Sequence, residues 1–216
     1  MMNKIVAIDG PAGSGKGTVA KILSDECNLL YIDTGAMYRA VAYKMLQNNI
    51  DLSDEESIIE LAKNSKIEFI DGKTYLDGVD ISREIRTMEV TKIVSPVSSI
   101  VKLREILVDL QRKMAEGSDV IMEGRDITTV VFPNANYKIY LDADVEERAN
   151  RRFKENKEKG IDTTFEEILE NIKKRDYNDM HKEVGSLTRT EDAHYIDSTN
   201  MTIDEVVSAI KKIIEV

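Results

Sequence analysis

Residues Gly10 to Thr18 read GPAGSGKGT and follow the apolar run Ile5-Val6-Ala7-Ile8. Glycines and small residues surround one lysine, Lys16. A phosphate chain needs this composition: backbone N–H groups can turn inward, no Cβ obstructs them, and a cation meets the charge. A helix opening near Lys16 adds the positive end of its dipole, roughly half an elementary charge. Gly10, Gly15 and Lys16 satisfy the spacing G-x-x-x-x-G-K, but the usual hydroxyl residue after the lysine is missing. Gly17 stands there, and Thr18 comes one place later. The loop predicts a nucleoside triphosphate site made by Gly10, Pro11, Ala12, Gly13, Ser14, Gly15, Lys16, Gly17 and Thr18. What is done with the triphosphate stays open, because such loops serve switches, motors, ATPases and kinases alike.

Three further segments follow apolar runs or helix breaks, and strand ends are where open α/β sheets bind ligands. In Asp33-Thr34-Gly35-Ala36-Met37-Tyr38-Arg39, a tight glycine turn before a helix at Met37 accounts for the first three residues. It does not account for Arg39, a cation in the first turn that opposes the dipole; an anionic ligand would. Glu123-Gly124-Arg125-Asp126 follows Val120–Met122 and places polar groups for a ligand edge. Arg148, Arg151 and Arg152, with Arg175, Asp176 and Asp179 beyond a break, read either as a charged helical surface or as a closing lid. Phosphoryl transfer asks a protein mainly for positioning and charge neutralisation, so lid arginines would suit it. His181 and His194 are the only histidines. Neither lies beside a nucleophile, and both read as structural.

The elements that must carry these residues alternate. Asn3–Asp9 and Leu29–Asp33 read as strands, with helices over Lys16–Cys27 and Met37–Asn48. Ser53 with Glu56 predicts a capping box for a helix to Asn64. This βαβα order predicts a parallel sheet covered by helices. The pattern then changes. Ile67–Ile70, Thr74–Leu76 and Val79–Ile81 are short β runs separated by Asp71-Gly72 and Asp77-Gly78, both hairpin signals. This small antiparallel insert reads equally as a structural flap or as a substrate-gripping subdomain. A long helix over Val97–Glu116 carries Arg104 and Arg112. Strands follow at Val120–Glu123, Tyr137–Leu141 and Tyr195–Asp197. Helices follow over 144–159, from a Thr164–Glu167 cap to Asp179, and from a Thr202–Glu205 cap to Ile214.

The chain has 216 residues, a net charge of −10 and one cysteine, Cys27. The length suits one α/β domain with two inserted mobile pieces. The charge argues against binding a nucleic-acid polymer. A lone cysteine excludes disulfide frameworks within the chain, and Cys27 is expected to pack as a small apolar residue. No apolar run approaches the ~20 residues that span a membrane, and no leader precedes the first strand, so a cytoplasmic protein is expected.

GPAGSGKGT, DTGAMYR, SREIRTMEV (residues 82–90), EGRDITTVVFP (123–133) and KKRDYND (173–179) together resemble the bacterial cytidylate kinases, in order and over nearly the whole chain. The resemblance implies a three-layer P-loop α/β fold: a central parallel sheet, an inserted monophosphate-binding subdomain with a small antiparallel sheet, and a helical lid. It implies one domain over 1–216, with the insert at about 35–100 and the lid at about 148–165. The implied activity transfers the γ-phosphoryl group of ATP, used with Mg²⁺, to CMP or dCMP, by a protein expected to be a monomer. The GKGT form of the loop is typical of nucleoside monophosphate kinases, and Thr18 would take the hydroxyl role near the phosphates and metal. Ser95, Arg104 and Asp126 match positions that recognise cytosine. Thr34 and Tyr38 fall in the monophosphate pocket. Arg39 and Arg125 match contacts to the acceptor phosphate, and Arg175 and Asp179 match positions near sugar and phosphate. Lys16, Arg148, Arg152 and Arg175 would act on the transferring group.

Four positions depart from the usual family pattern: Thr34 for serine, Lys182 for arginine, Glu123 for aspartate and Thr128 for glycine. Lys182 keeps charge but loses bidentate geometry, and ranks lower for that reason. Rival readings lack their signatures. Adenylate kinases carry a Gly-Phe-Pro-Arg turn where this chain has Glu123-Gly124-Arg125-Asp126. Shikimate-type kinases lack the insert. A GTP switch needs an Asn/Thr-Lys-x-Asp segment, and an AAA-type motor needs an acidic pair after Met122.

Overall fold

The computed structural model describes residues 3–158 and 160–215. A five-stranded parallel sheet runs in the order β2 (Leu30–Asp33), β6 (Val120–Gly124), β1 (Ile5–Asp9), β7 (Tyr137–Asp142), β8 (His194–Asp197). Its central strands β6, β1 and β7 are buried on both faces, and alternation decides which core each residue joins. Ala7, Ile32, Val120 and Met122 enter one apolar cluster, while Val6, Ile8 and Ile121 enter the other. The first cluster is closed by α2 (Thr34–Gln47), α3 (Glu55–Lys63), α4 (Met88–Val97) and α5 (Val101–Met114). The second is closed by α1 (Lys16–Cys27) and α8 (Ile203–Ile213). Cys27 is half-buried against this second cluster.

The antiparallel sheet β3 (Ile67–Ile70), β4 (Lys73–Leu76), β5 (Val79–Asp80) forms as the Asp-Gly turns predict. Ile67, Leu76 and Ile81 join the same cluster as α2. A 3₁₀ turn at Glu84–Arg86 leads into α4. Two polar helices, α6 (Val145–Glu158) and α7 (Phe165–Met180), pack on each other through Ala149, Ile168 and Ile172. The sequence ends α6 at Lys159, which lies outside the described residues. The capping boxes at Thr164–Glu167 and Thr202–Glu205 form with both reciprocal bonds.

Three boundaries differ from the sequence reading. The cap of α3 is Asp54, whose side chain accepts from the Ser57 N–H; the Ser53 hydroxyl turns back to Asp51 instead. The expected helix over Val97–Glu116 is α5, which opens later, at Val101, and Val97 instead ends a separate helix, α4, that the sequence reading lacks. The apolar period continues through the break, but the Ser98 and Ser99 hydroxyls both donate to the Ser95 carbonyl, competing with helix continuation. Finally, α2 opens at Thr34 with Asp33 as its cap, because the Asp33 side chain accepts from the Ala36 N–H. Gly35 is therefore helical, Arg39 lies in the second turn, and its opposition to the dipole disappears.

Candidate active site

β1 delivers the chain to the phosphate loop at the centre of the sheet. Gly15 caps α1, and Lys16 folds back into the loop. Its ammonium donates to the Gly10 carbonyl at 2.8 Å, to the Pro11 carbonyl at 2.9 Å and to the Ser14 hydroxyl at 3.4 Å. Burial, and then the charge of Arg125, lower the Lys16 pKa to about 7. Thr18 is exposed on the first turn of α1.

The glycine at position 17 has a structural reason. A Cβ there would stand 2.8 Å from Glu123 Oε1 and 3.4 Å from the Tyr31 hydroxyl. Glu123 accepts from that hydroxyl at 3.1 Å and lies in register beside Asp33 on β2. Burial and the neighbouring Asp33 charge raise the Glu123 pKa.

The loop is braced from behind by the two polar helices. Asp176 on α7 accepts from the Ala12 N–H at 3.2 Å and from Arg148 Nη1 at 2.6 Å. Arg148 also donates to the Ala12 carbonyl at 2.8 Å and the Ala143 carbonyl at 2.9 Å. Arg148 is thus buried under the loop rather than extended from a lid. Arg151, read from sequence with Arg148 and Arg152 as a surface or lid arginine, donates to the Ser198 carbonyl at 2.6 Å, pinning α6 beside the loop after β8. Arg152 is half exposed and pairs with Glu155 at 2.9 Å.

Beside the loop lies a narrow cleft. Thr34, Tyr38, Ser95, Arg104, Arg125, Asp126, Arg175 and Asp179 all line it, as does Lys182. The break between α4 and α5 shapes one wall, because Arg104 Nη1 donates to the Ser98 carbonyl at 2.9 Å. The other Arg104 amino group pairs with Asp126, and the guanidinium lies 5.5 Å from the Tyr38 ring centroid. Gly185 closes over this pair, where a Cβ would collide with the guanidinium and stand 2.6 Å from Asp126 Oδ2. Asp179 holds Arg125 Nε at 2.8 Å and Lys182 Nζ at 3.0 Å in the same cleft. Burial would raise the Asp179 pKa, but Arg125, Lys182 and Arg175 outweigh it and bring it to about 2.

The cleft is over-supplied with positive charge. Burial and then Arg125 lower the Arg175 pKa to about 10, and burial and then Arg175 lower that of Arg39 to about 9. The Arg175 Nε is buried without a hydrogen-bond partner among the described residues. Arg39 is not part of the cleft wall; its Nη1 donates to the Ile85 carbonyl at 3.2 Å and the Thr91 hydroxyl at 3.0 Å. Cations that destabilise one another this way are matched by an anion of more than one charge, such as a phosphate. The histidines stand elsewhere: His181 stacks on Tyr177 at the end of α7, and His194 is exposed on β8. Among the described residues no helix is long and apolar enough to cross a membrane.

Two solved structures share the architecture at low identity, and show the fold alone. An uncharacterized protein from Eubacterium ventriosum aligns with a TM-score of 0.56 and 13% identity over 99% of both chains. A shikimate kinase from Bacteroides thetaiotaomicron aligns with a TM-score of 0.51 and 12% identity over 99% of both. Sequence relatives are much nearer. The chain is 53% identical to a cytidylate kinase of Alkaliphilus oremlandii, over 95% of this chain and 94% of the relative. It is 49% identical to one of Clostridioides difficile, over 97% of each. It is 50% identical to one of Enterococcus faecalis, over 99% of this chain and 97% of the relative. The cytidylate kinase family model matches residues 6–216, and with it the phosphate loop and every wall of the cleft, so the chain belongs to the cytidylate kinase family.

Proposed function

We propose that the protein transfers the γ-phosphoryl group of ATP to CMP or dCMP, giving ADP and CDP or dCDP. The observation that carries this reading is the cleft itself, which gathers the Arg104–Asp126 pair with Arg125, Arg175 and Lys182. Cytosine presents an acceptor edge and an exocyclic amino donor. A guanidinium beside a carboxylate complements both, whereas uracil would set a carbonyl oxygen against Asp126. Thr34, Tyr38 and Ser95 complete the acceptor pocket, with Arg39 released from its insert contacts onto the acceptor phosphate. Arg125, Arg175 and Asp179 hold phosphate and sugar.

Gly10 to Thr18 hold the donor phosphates, and the Lys16 ammonium moves from the loop carbonyls onto them. Transfer is direct and in line, with no phospho-enzyme. Arg152 and Arg175 neutralise charge spreading over the transferred group, and Arg148 acts through the loop it braces. Closure of the insert (about 35–100) and the lid (about 148–165) excludes water and limits hydrolysis.

The residues present fit a magnesium ion. The oxygen donors available are the Thr18 hydroxyl, which would reach the ion through the nucleotide and waters, and the carboxylates of Glu123 and Asp33, which lie side by side in register. Glu123 is buried beside a like charge, which a cation would relieve. Bound with the nucleotide, magnesium supplies charge neutralisation at the donor phosphates. The working unit is taken as the monomer.

The test is an ADP-release assay offering CMP, dCMP, UMP, AMP and shikimate separately. Turnover with CMP and dCMP above the others is expected; turnover with AMP and not CMP would overturn the reading. Asp126→Ala is expected to lose the CMP-over-UMP preference.

A further inference from the structure

β1 ends on Asp9, immediately before the phosphate loop. Its carboxylate is fully buried and reaches the segment that follows β6. Oδ1 accepts from the Ile127 N–H at 2.9 Å. Oδ2 accepts from the Thr128 N–H at 2.8 Å and from the Thr128 hydroxyl at 2.6 Å. One carboxylate therefore ties the residue before Gly10 to the two residues after Asp126.

Those two residues open a π turn, Ile127–Val131. The Val131 and Phe132 N–H groups bond five residues back, to the carbonyls of Asp126 and Ile127. Such turns are rare and short, and gather at functional sites. Any helical start leaves its first N–H groups without internal acceptors. An aspartate in the capping position normally satisfies them with its own side chain. Asp126 occupies that position and makes no such bond, because Asp9 has taken the N–H groups from the neighbouring strand. The Asp126 carboxylate is left to face Arg104 and the cleft.

We propose that Asp9 and Thr128 are positioning residues for base selection: by capping the π turn in place of Asp126, Asp9 keeps the Asp126 carboxylate on Arg104 and available to the acceptor base. Without that cap, the orphaned N–H groups of Ile127 and Thr128 draw the Asp126 side chain back onto its own turn. Thr128 contributes the third donor that holds the Asp9 carboxylate. The inference rests on the reading of Asp126 as the base-facing residue.

The test compares kcat/KM for CMP and for UMP, and KM for ATP, in the whole protein and its variants. Thr128→Val keeps shape and removes one hydrogen bond to a charged acceptor. It is expected to lower the CMP-over-UMP ratio roughly tenfold, while KM for ATP stays within about twofold. Thr128→Ser restores the ratio. Asp9→Asn, which sets an amide N–H₂ against N–H donors, lowers the ratio further; should it not fold, the threonine pair decides the matter alone. An unchanged ratio in Thr128→Val, in a protein where Asp126→Ala does lower it, overturns the positioning role and leaves the Asp126 reading intact. An unchanged ratio in Asp126→Ala overturns that reading first. A rise in KM for ATP as large as the loss of CMP selectivity overturns the proposal too, since Asp9 would then act on the loop it precedes.

Discussion

Glu123 and Gly17 are packed against each other: the carboxylate oxygen lies 2.8 Å from the place a Cβ on Gly17 would take. The glycine that breaks the strict loop pattern is the one tolerated beneath the Glu123–Tyr31 pair. Gly17→Ser restores the common pattern on paper, yet it is expected to lower kcat/KM for ATP by about tenfold or more by displacing Glu123. Glu123→Asp shortens the opposing side chain, so the double variant is expected to recover part of the loss. Independent, additive losses in the double variant would contradict this account.

The depressed pKa of Lys16, about 7, makes donor binding proton-linked. Phosphates favour the ammonium, so above pH 7 the free protein must take up a proton as ATP binds. ATP affinity is expected to weaken as pH rises from 7 to 9. Calorimetry in buffers of different ionisation enthalpy should register that uptake at pH 8 and much less at pH 6. Lys16→Ala should abolish the linkage together with transfer.

Arg148 and Arg152 sit four residues apart on α6 and are expected to fail differently. Arg148 is buried with Asp176 at 2.6 Å, and removing one partner of a buried pair costs about 3–5 kcal/mol. Asp176→Ala should therefore lower the denaturant midpoint strongly. Arg152→Ala breaks an exposed pair worth less than about 1 kcal/mol, so stability should hold while kcat falls about 10³-fold if Arg152 reaches the transferring group.

Lys182 shares Asp179 with Arg125 and also donates to the Ser98 hydroxyl at 3.3 Å. Lys182→Ala leaves Asp179 with one cation fewer, and its pKa should rise from about 2. A drop of about tenfold in kcat/KM for CMP is expected, with KM for ATP unchanged. Equal losses for both nucleotides would place Lys182 outside the acceptor site.

Much of this was legible because it is local. A strand, a glycine loop and a helix in succession need no long-range information, and α1 begins and ends where the sequence places it. The Asp-Gly hairpins and two capping boxes are likewise set within a few residues. The missed boundaries had local competitors that periodicity does not register. At Ser98-Ser99 two hydroxyls end a helix through an unbroken apolar pattern. At Asp33 a side-chain cap starts α2 three residues earlier than the apolar pattern suggests.

The sequence by itself determined the phosphate loop, the order of the strands and of most helices though not α4, and the family whose motifs these are. Those properties reside in residue types at short spacing. Tertiary structure alone decided the roles of residues whose partners are remote in the chain. Asp176 meets Ala12, Asp179 meets Arg125, and Asp9 meets Thr128 across more than fifty positions each. No short-range pattern marks such pairs; they exist because parallel strands bring their carboxyl ends to one edge, where buried charges must find partners.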